Sequence, residues 1–163
     1  LEDRARQLAR QEADAQEGAG EEVLTFRLGE SGYSLPIWSV REVYPLKSYT
    51  PLPVMPPFVV GLVNLRGRLL TVLDIRPLLG LQRTPVRPDS FLLRVGTDDL
   101  EVGLLIDSVV EVRRSDALTA PALSTLAGQG LPWVRGVDQR LTLLLDPVLL
   151  LADPRLTIRT ARE

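Results

Sequence analysis

The 163-residue chain has no cysteine and no histidine. Without cysteine there is no disulfide framework and no thiolate-held metal. Without histidine the usual general base, the usual metal ligand and any phosphoryl-accepting imidazole are missing as well. Aromatic residues are scarce, at 5% against 45% hydrophobic residues overall. The core is therefore expected to be aliphatic, rich in Leu and Val, and built from strands. No run of 18 or more apolar residues and no signal-peptide pattern occurs, so no helical membrane span is expected and a soluble cytoplasmic protein is the default. All 19 basic residues except Lys47 are Arg, a bias read as genome composition ahead of a multi-Arg binding face. The net charge of −2 is uneven: residues 1–22 hold seven acids and three bases, leaving a nearly neutral body. Such a body lacks the clustered cationic charge that nucleic acids require. The chain begins at Leu1 rather than Met, so a piece of a longer protein is expected.

What the chain does have is a duplication. Ile37-Trp38-Ser39-Val40-Arg41-Glu42-Val43 returns 69 positions later as Ile106-Asp107-Ser108-Val109-Val110-Glu111-Val112. Gly61–Gly67 returns as Gly130–Gly136 at the same offset, and Arg68–Asp74 returns as Arg140–Asp146 at an offset of 72. Two copies are too few for a solenoid, so a closed pseudo-symmetric pair sharing a core is expected.

Within each copy, short apolar runs alternate with turn residues. Val23–Leu28 and Tyr33–Ile37 flank Gly29-Glu30-Ser31-Gly32 and read as a hairpin. Five prolines in residues 45–57 mark an ordered loop. Phe58–Leu65 and Arg68–Ile75 form a second hairpin about Arg66-Gly67, and Pro77–Gly80 makes a single helical turn. After a polar linker at 82–89, the second copy runs through Phe91–Val95, Leu100–Ile106, Val109–Val112, a long small-residue loop at 115–130, Trp133–Val137 and Leu141–Leu145. Asp146-Pro147 opens a short helix reaching about Leu151. Residues 1–16 read as a helix with a thin apolar face, or as a solvated tail. Many short strands with almost no long helix predict an all-β protein of small barrels or a sandwich, and two linked five-stranded barrels would fit the duplication.

Little here supports an enzyme. The serines have no His partner, and Lys47 lies in a proline-rich loop without a Ser-x-x-Lys context. Asp98-Asp99 reads as a solvated turn, and Asp74 and Asp146 as helix caps. No enzyme activity, no cofactor and no metal are expected. What remains is recognition. Asn64-Leu65-Arg66-Gly67 is either a plain hairpin turn with a solvated Arg, or a turn that offers Arg66 to a partner carboxylate. Glu42, between two aliphatic residues, is expected to be exposed or paired with an Arg.

In this order, Val23–Gly29, Ile37–Val43, Gly61–Gly67, Thr71–Arg76 and Val102–Val109 resemble the bacterial chemotaxis coupling protein family, CheW, and the homologous regulatory domain of the CheA kinase. The resemblance covers nearly all of residues 21–152. It implies an all-β fold of two pseudo-symmetric SH3-like five-stranded barrels with short helical turns and an N-terminal helical extension. It implies an extension at 1–20 that is helical or partly disordered and a coupling domain at 21–154, with repeats at about 21–81 and 89–152. A C-terminal tail follows at 155–163. The function implied is a non-enzymatic adaptor. Its partners would be the cytoplasmic tip of a methyl-accepting chemoreceptor and the regulatory domain of a CheA-type histidine kinase. There would be no nucleic acid and no direct membrane insertion, and receptor arrays would be reached through protein partners. By motif match the receptor-binding residues are Val40, Glu42, Gly61, Asn64, Arg66 and Gly67, while Gly103 is read as structural, excluding a side chain at a backbone contact. The kinase-binding residues are not placed. The helix at 1–16 and the loop at 115–130 depart from the minimal module. The alternatives are a kinase regulatory-domain fragment, a receiver-fused adaptor, or, in a different class, an SH3- or OB-like nucleic-acid-binding barrel.

Overall fold

The computed structural model describes residues 20–83, 85–98, 100–116, 118 and 131–156. The helix expected at 1–16, and most of the loop expected at 115–130, lie outside these. The strands are β1 (Glu22–Leu28), β2 (Ser31–Pro36), β3 (Val40–Pro45), β4 (Val59–Leu65), β5 (Arg68–Leu73), β6 (Phe91–Gly96), β7 (Glu101–Ile106), β8 (Ser108–Arg114), β9 (Val134–Val137) and β10 (Thr142–Leu145). Among the described residues one helix, α1 (Pro147–Leu151), follows β10, and 3-10 turns lie at Ile37–Ser39, Arg76–Leu79 and Pro154–Leu156.

The strands form two five-stranded sheets, ordered β8-β1-β2-β10-β9 and β3-β6-β7-β5-β4. Strands β1 to β5 correspond in sequence to β6 to β10, and this substitution converts one order into the other. Each half of the chain therefore gives its first two strands to one sheet and its last three to the other. The joins between halves are antiparallel at β1–β8 and β3–β6, and parallel at β2–β10 and β5–β7. Each initial hairpin is thus clasped on both sides by strands of the other half.

The local reasons are ordinary. Leu24, Phe26 and Leu28 alternate into the core, and β1 is buried along most of its length because it is central in its sheet. A bulge after Thr25 shifts the β1–β8 register. The Thr25 hydroxyl stitches it, donating to the Glu111 carbonyl (3.1 Å) and accepting from the Glu111 N–H (3.2 Å). Asp146 caps α1 as expected, its Oδ1 accepting from the Val148 and Leu149 N–H groups at 3.0 and 3.1 Å. The main core draws on both sheets, with Phe26, Leu35, Leu93, Leu104, Trp133 and Leu145 almost wholly buried. Each such side chain contributes about 1.5–3 kcal/mol, so the joint core outweighs any surface ion pair, worth about 0–1 kcal/mol.

Two findings refine the sequence reading. Asp74 is not the N-cap of the Arg76–Leu79 turn, a place that Ile75 takes with no side-chain bond. It is fully buried, and its Oδ1 accepts both the Arg76 N–H (3.0 Å) and the Arg76 guanidinium (3.2 Å). The same guanidinium reaches Asp107 Oδ1 at 2.6 Å, and Asp107 Oδ2 accepts the Gly29 N–H from the β1–β2 turn. Asp74-Arg76-Asp107 thus clamps one sheet to the other. Burial works to raise the Asp107 carboxyl, but the Gly29 N–H and the Arg76 guanidinium outweigh it and hold it below the usual range. Gly103 is indeed too crowded for a side chain, although the crowding atoms belong to Leu92: a Cβ there would stand 2.9–3.0 Å from them.

Candidate functional site

The β4–β5 hairpin closes on the pair Leu65–Arg68, leaving Arg66 and Gly67 as a two-residue turn. Both have positive φ, 53° and 85°, as the primed hairpin turns require. The Asn64 side chain secures the turn, its Oδ1 accepting the Gly67 N–H at 3.0 Å. The turn residue at positive φ that is not glycine is thereby held at the tip, its side chain 78% exposed.

Arg66 is not simply solvated. Its two terminal nitrogens donate to the two oxygens of Glu42 at 3.2 and 2.7 Å, the bidentate fork that carboxylates bind best. Strands β3 and β4 are opposite edges of their sheet, about 19 Å apart if it were flat. The bond therefore requires a strongly curled sheet, with the hairpin turn brought over the far edge strand. Glu42 also accepts from Arg94 at 2.8 Å, and Arg94 forks onto Glu101 at 3.1 and 3.0 Å. Arg41 and Arg68 approach Glu101 at 3.8 and 3.6 Å. Gly96 leaves the room, since a Cβ there would meet Glu101 at 2.7 Å and Arg41 at 3.0 Å.

The result is a ladder, Arg66–Glu42–Arg94–Glu101, flanked by two further guanidiniums. Hydrogen bonds from Arg66 and then Arg94 hold the Glu42 carboxyl below the usual range; Arg94 does the same for Glu101. Arg94, bonded to Glu101 and Glu42, is pushed further up. Glu42, Glu101 and Arg94 are thereby held in their charged forms, so what the ladder can do is grip.

The structure brings Glu42, Asn64, Arg66 and Gly67 together, whereas Val40 and Gly61 lie apart from the ladder. Val40 is half-buried and packs on the main core. Gly61 is buried beneath the proline-rich loop: the Thr50 and Leu62 backbones exchange two 2.8 Å hydrogen bonds, and a Cβ on Gly61 would stand 2.2 Å from the Thr50 carbonyl oxygen. Sequence reasoning missed Arg94 and Glu101. The signal available was two opposite charges of matching strand parity on either side of the Gly96–Leu100 turn, which makes them diagonal neighbours across a hairpin.

The chain thus carries a rim of fixed ion pairs on a curled sheet. Its family is given by comparison: residues 22–155 match the model described as the CheW-like domain, and the chain belongs to that family. It is 31% identical over 93 residues to the chemotaxis protein CheW of Rhizobium meliloti, covering 57% of this chain and 60% of that one. It is 31% identical over 127 residues to CheW of Thermotoga maritima, covering 77% of this chain and 83% of that one. Among solved structures it resembles the scaffolding protein TtCheW from Thermoanaerobacter tengcongensis. The TM-score is 0.65 with 26% identity, over 78% of this chain and 89% of that one.

Proposed function

We propose that the chain is a non-enzymatic adaptor of bacterial chemosensory signalling, coupling chemoreceptors to a CheA-type histidine kinase. Residues 21–154 are the coupling domain, each curled sheet an SH3-like barrel, and residues 1–20 an extension. The observation that supports the reading is the ladder: within a CheW-like fold, Arg66 is held out at a hairpin tip on Glu42, and both are among the six receptor-side residues that the family resemblance implies. Asn64 and Gly67 shape that tip, and Val40 and Gly61, apart from the ladder, complete the receptor side that the resemblance implies. The kinase regulatory domain, itself of related fold, docks elsewhere by barrel–barrel contact.

The mechanism is an allosteric relay without chemistry. The adaptor holds receptor and kinase together, so a receptor rearrangement that changes its contacts with the adaptor changes the kinase's active population. Individual contacts are modest and the array supplies avidity. The protein works on the cytoplasmic side, tied to membrane-bound arrays through its partners.

A calorimetric titration with a receptor cytoplasmic hairpin from the same genome, beside Arg66→Glu, tests this. Binding by the native chain and its loss in the variant support the reading. Equal binding by both returns Arg66 to an ordinary turn residue, and binding by neither removes the receptor reading.

A further inference from the structure

Beneath the ladder lies a polar atom that nothing holds. The Tyr44 hydroxyl is buried and has no hydrogen-bond partner among the described residues. Leaving a buried hydroxyl unpaired is unfavourable, so one that persists calls for a reason. Tyr44 belongs to β3, lies opposite Leu92 of β6, and packs against a smaller apolar cluster that includes Leu70, Val72 and Leu92. Burial first and the Glu42 charge second push its phenol above the ordinary value, against the pull of Arg94 and Arg66. The hydroxyl therefore lies on the underside of the ladder, with a carboxylate as its foremost charged neighbour.

Glu42 and Tyr44 stand two residues apart on β3, hence on one face and about 7 Å apart along the strand. Both are half-buried, alternating with exposed Arg41, Val43 and Pro45. The two Glu42 oxygens are bonded unequally. Oε1 accepts from Arg94 at 2.8 Å and from Arg66 at 3.2 Å. Oε2 accepts from Arg66 at 2.7 Å, its one hydrogen bond among the described residues. Withdrawal of Arg66 therefore leaves Oε1 on Arg94 and frees Oε2. The last torsion of a glutamate is soft, so the carboxylate can turn about its bond to Arg94 and carry Oε2 towards the donor below. The free donor there is the Tyr44 hydroxyl.

We infer that Tyr44 is a positioning residue for the β4–β5 tip: its hydroxyl is the second seat of the Glu42 carboxylate, taken when Arg66 leaves Glu42 for a partner. The inference rests on reading Arg66 as a partner-binding residue and adds how the molecule lets that residue go. A carboxylate stripped of its guanidinium opposes release, and an O–H donor buried beside it reduces that opposition. The hydroxyl is idle while Arg66 is bound to Glu42 and employed once Arg66 is gone. The ladder thus has two arrangements of its own, one that holds Arg66 back and one that presents it.

The whole chain by itself supplies the first test, urea unfolding of Tyr44→Phe in several backgrounds. In the native chain the substitution removes an idle hydroxyl and should leave the midpoint level or raise it. Beside Arg66→Gly, which suits the positive φ of the turn and removes the guanidinium, it should raise the unfolding equilibrium constant about tenfold. Beside Arg66→Lys, which keeps a cation for Glu42, that loss should vanish, and it should vanish again when Glu42→Ala is added to Arg66→Gly. The carbon NMR resonance of Tyr44 Cζ should move in Arg66→Gly and stay in place when Glu42→Ala accompanies it. An equal effect of Tyr44→Phe in all backgrounds, or a loss that survives Glu42→Ala, overturns the inference. In the titration with the receptor hairpin, Tyr44→Phe should weaken binding about tenfold while the unfolding midpoint holds. Equal binding by the two chains overturns the positioning role. A hairpin that binds neither chain removes the receptor reading, and the unfolding series then decides this inference on its own.

Discussion

The β4–β5 hairpin turns through Arg66 and Gly67, whereas its repeat counterpart, β9–β10, turns through Asp138, Gln139, Arg140 and Leu141. Both turns reach over to the far edge strand of their own sheet with charged bonds. In one sheet the turn supplies the cation and β3 the anion, Arg66 to Glu42. In the other the turn supplies both: Arg140 donates to Glu111, the repeat counterpart of Glu42, at 3.4 Å, and Asp138 accepts from Arg113 at 2.7 Å. The added pair differs in environment: the side chains of Arg66 and Glu42 are 78% and 29% exposed, those of Arg113 and Asp138 10% and 3%. Arg135, the sequence equivalent of Arg66, is no longer at a tip. It sits within β9 and pairs with Glu21 at 3.2 Å. The three extra residues of the second copy move the turn and add a buried fastening, Arg113–Asp138, to the exposed pair, so the two ends of the duplicated unit divide into an exposed one and a fastened one.

That contrast breaks most sharply at Gly61. The ladder end is set by backbone fit, and Gly61→Ala forces a Cβ against the Thr50 carbonyl oxygen. Urea unfolding should show a loss of about 3 kcal/mol or more; a loss within scatter would mean that the proline-rich loop is not docked on β4. Next comes Asp138→Ala, which removes the acceptor of the Arg140 and Thr142 N–H groups (2.9 and 3.0 Å) and leaves Arg113 buried without it. A cost of about 2–4 kcal/mol is expected, while Glu42→Gln should leave the midpoint unchanged. The reverse ranking would refute the division of labour.

Acid should discriminate as well. Arg155 foremost, with the Trp133 indole N–H among the helpers, holds the Asp153 carboxyl down to about 2 despite its burial. A depressed folded-state pKa gives stability that is complete above the unfolded value near 4 and is lost as pH falls towards about 2. The part due to Asp153 is about 1–2 kcal/mol after allowance for the half-exposed Arg155. Burial raises Asp138, but Arg113 and the two backbone N–H groups outweigh it, so its contribution fades in the same direction. Asp153→Asn should flatten the pH dependence of unfolding below pH 4, measured by urea midpoints at successive pH values. The smallest effect is expected for Arg94→Met: no change in stability, a rise in the Glu42 carboxyl titration followed by carbon NMR, and weaker receptor binding partly restored by Arg94→Lys.

The hairpins, the proline-rich loop and the Asp146 cap were legible in the sequence because each is decided by neighbouring residues. Alternation, turn chemistry and proline placement act within a few positions. The duplication was legible too, but not the exchange of strands between its halves. Nothing in Leu143 or Tyr33 alone announces that β10 lies parallel to β2, because that pairing is settled by the joint core rather than by local pattern. The site divides in the same way. Arg66 stood out through its turn, whereas Arg94 sits in an apolar strand 28 positions later and gained its meaning only when β6 came to lie beside β3. Asp74 looked like a cap because its bonds to Arg76 are local, whereas the reach of Arg76 to Asp107, 31 positions on, is not.

The exchange of strands also sets a timetable. The first sheet opens with β1 and β2, yet its remaining members are β8, β9 and β10, so this hairpin, made before them, waits for those later strands to be made. At about 5–20 residues per second the interval is on the order of ten seconds, during which Phe26 and Leu35 have no permanent partner. Neither half can complete a sheet by itself, so the molecule has no stable halfway product. Severing the chain in the polar linker at 82–89 should yield two fragments that are each unstructured alone and regain the fold when mixed.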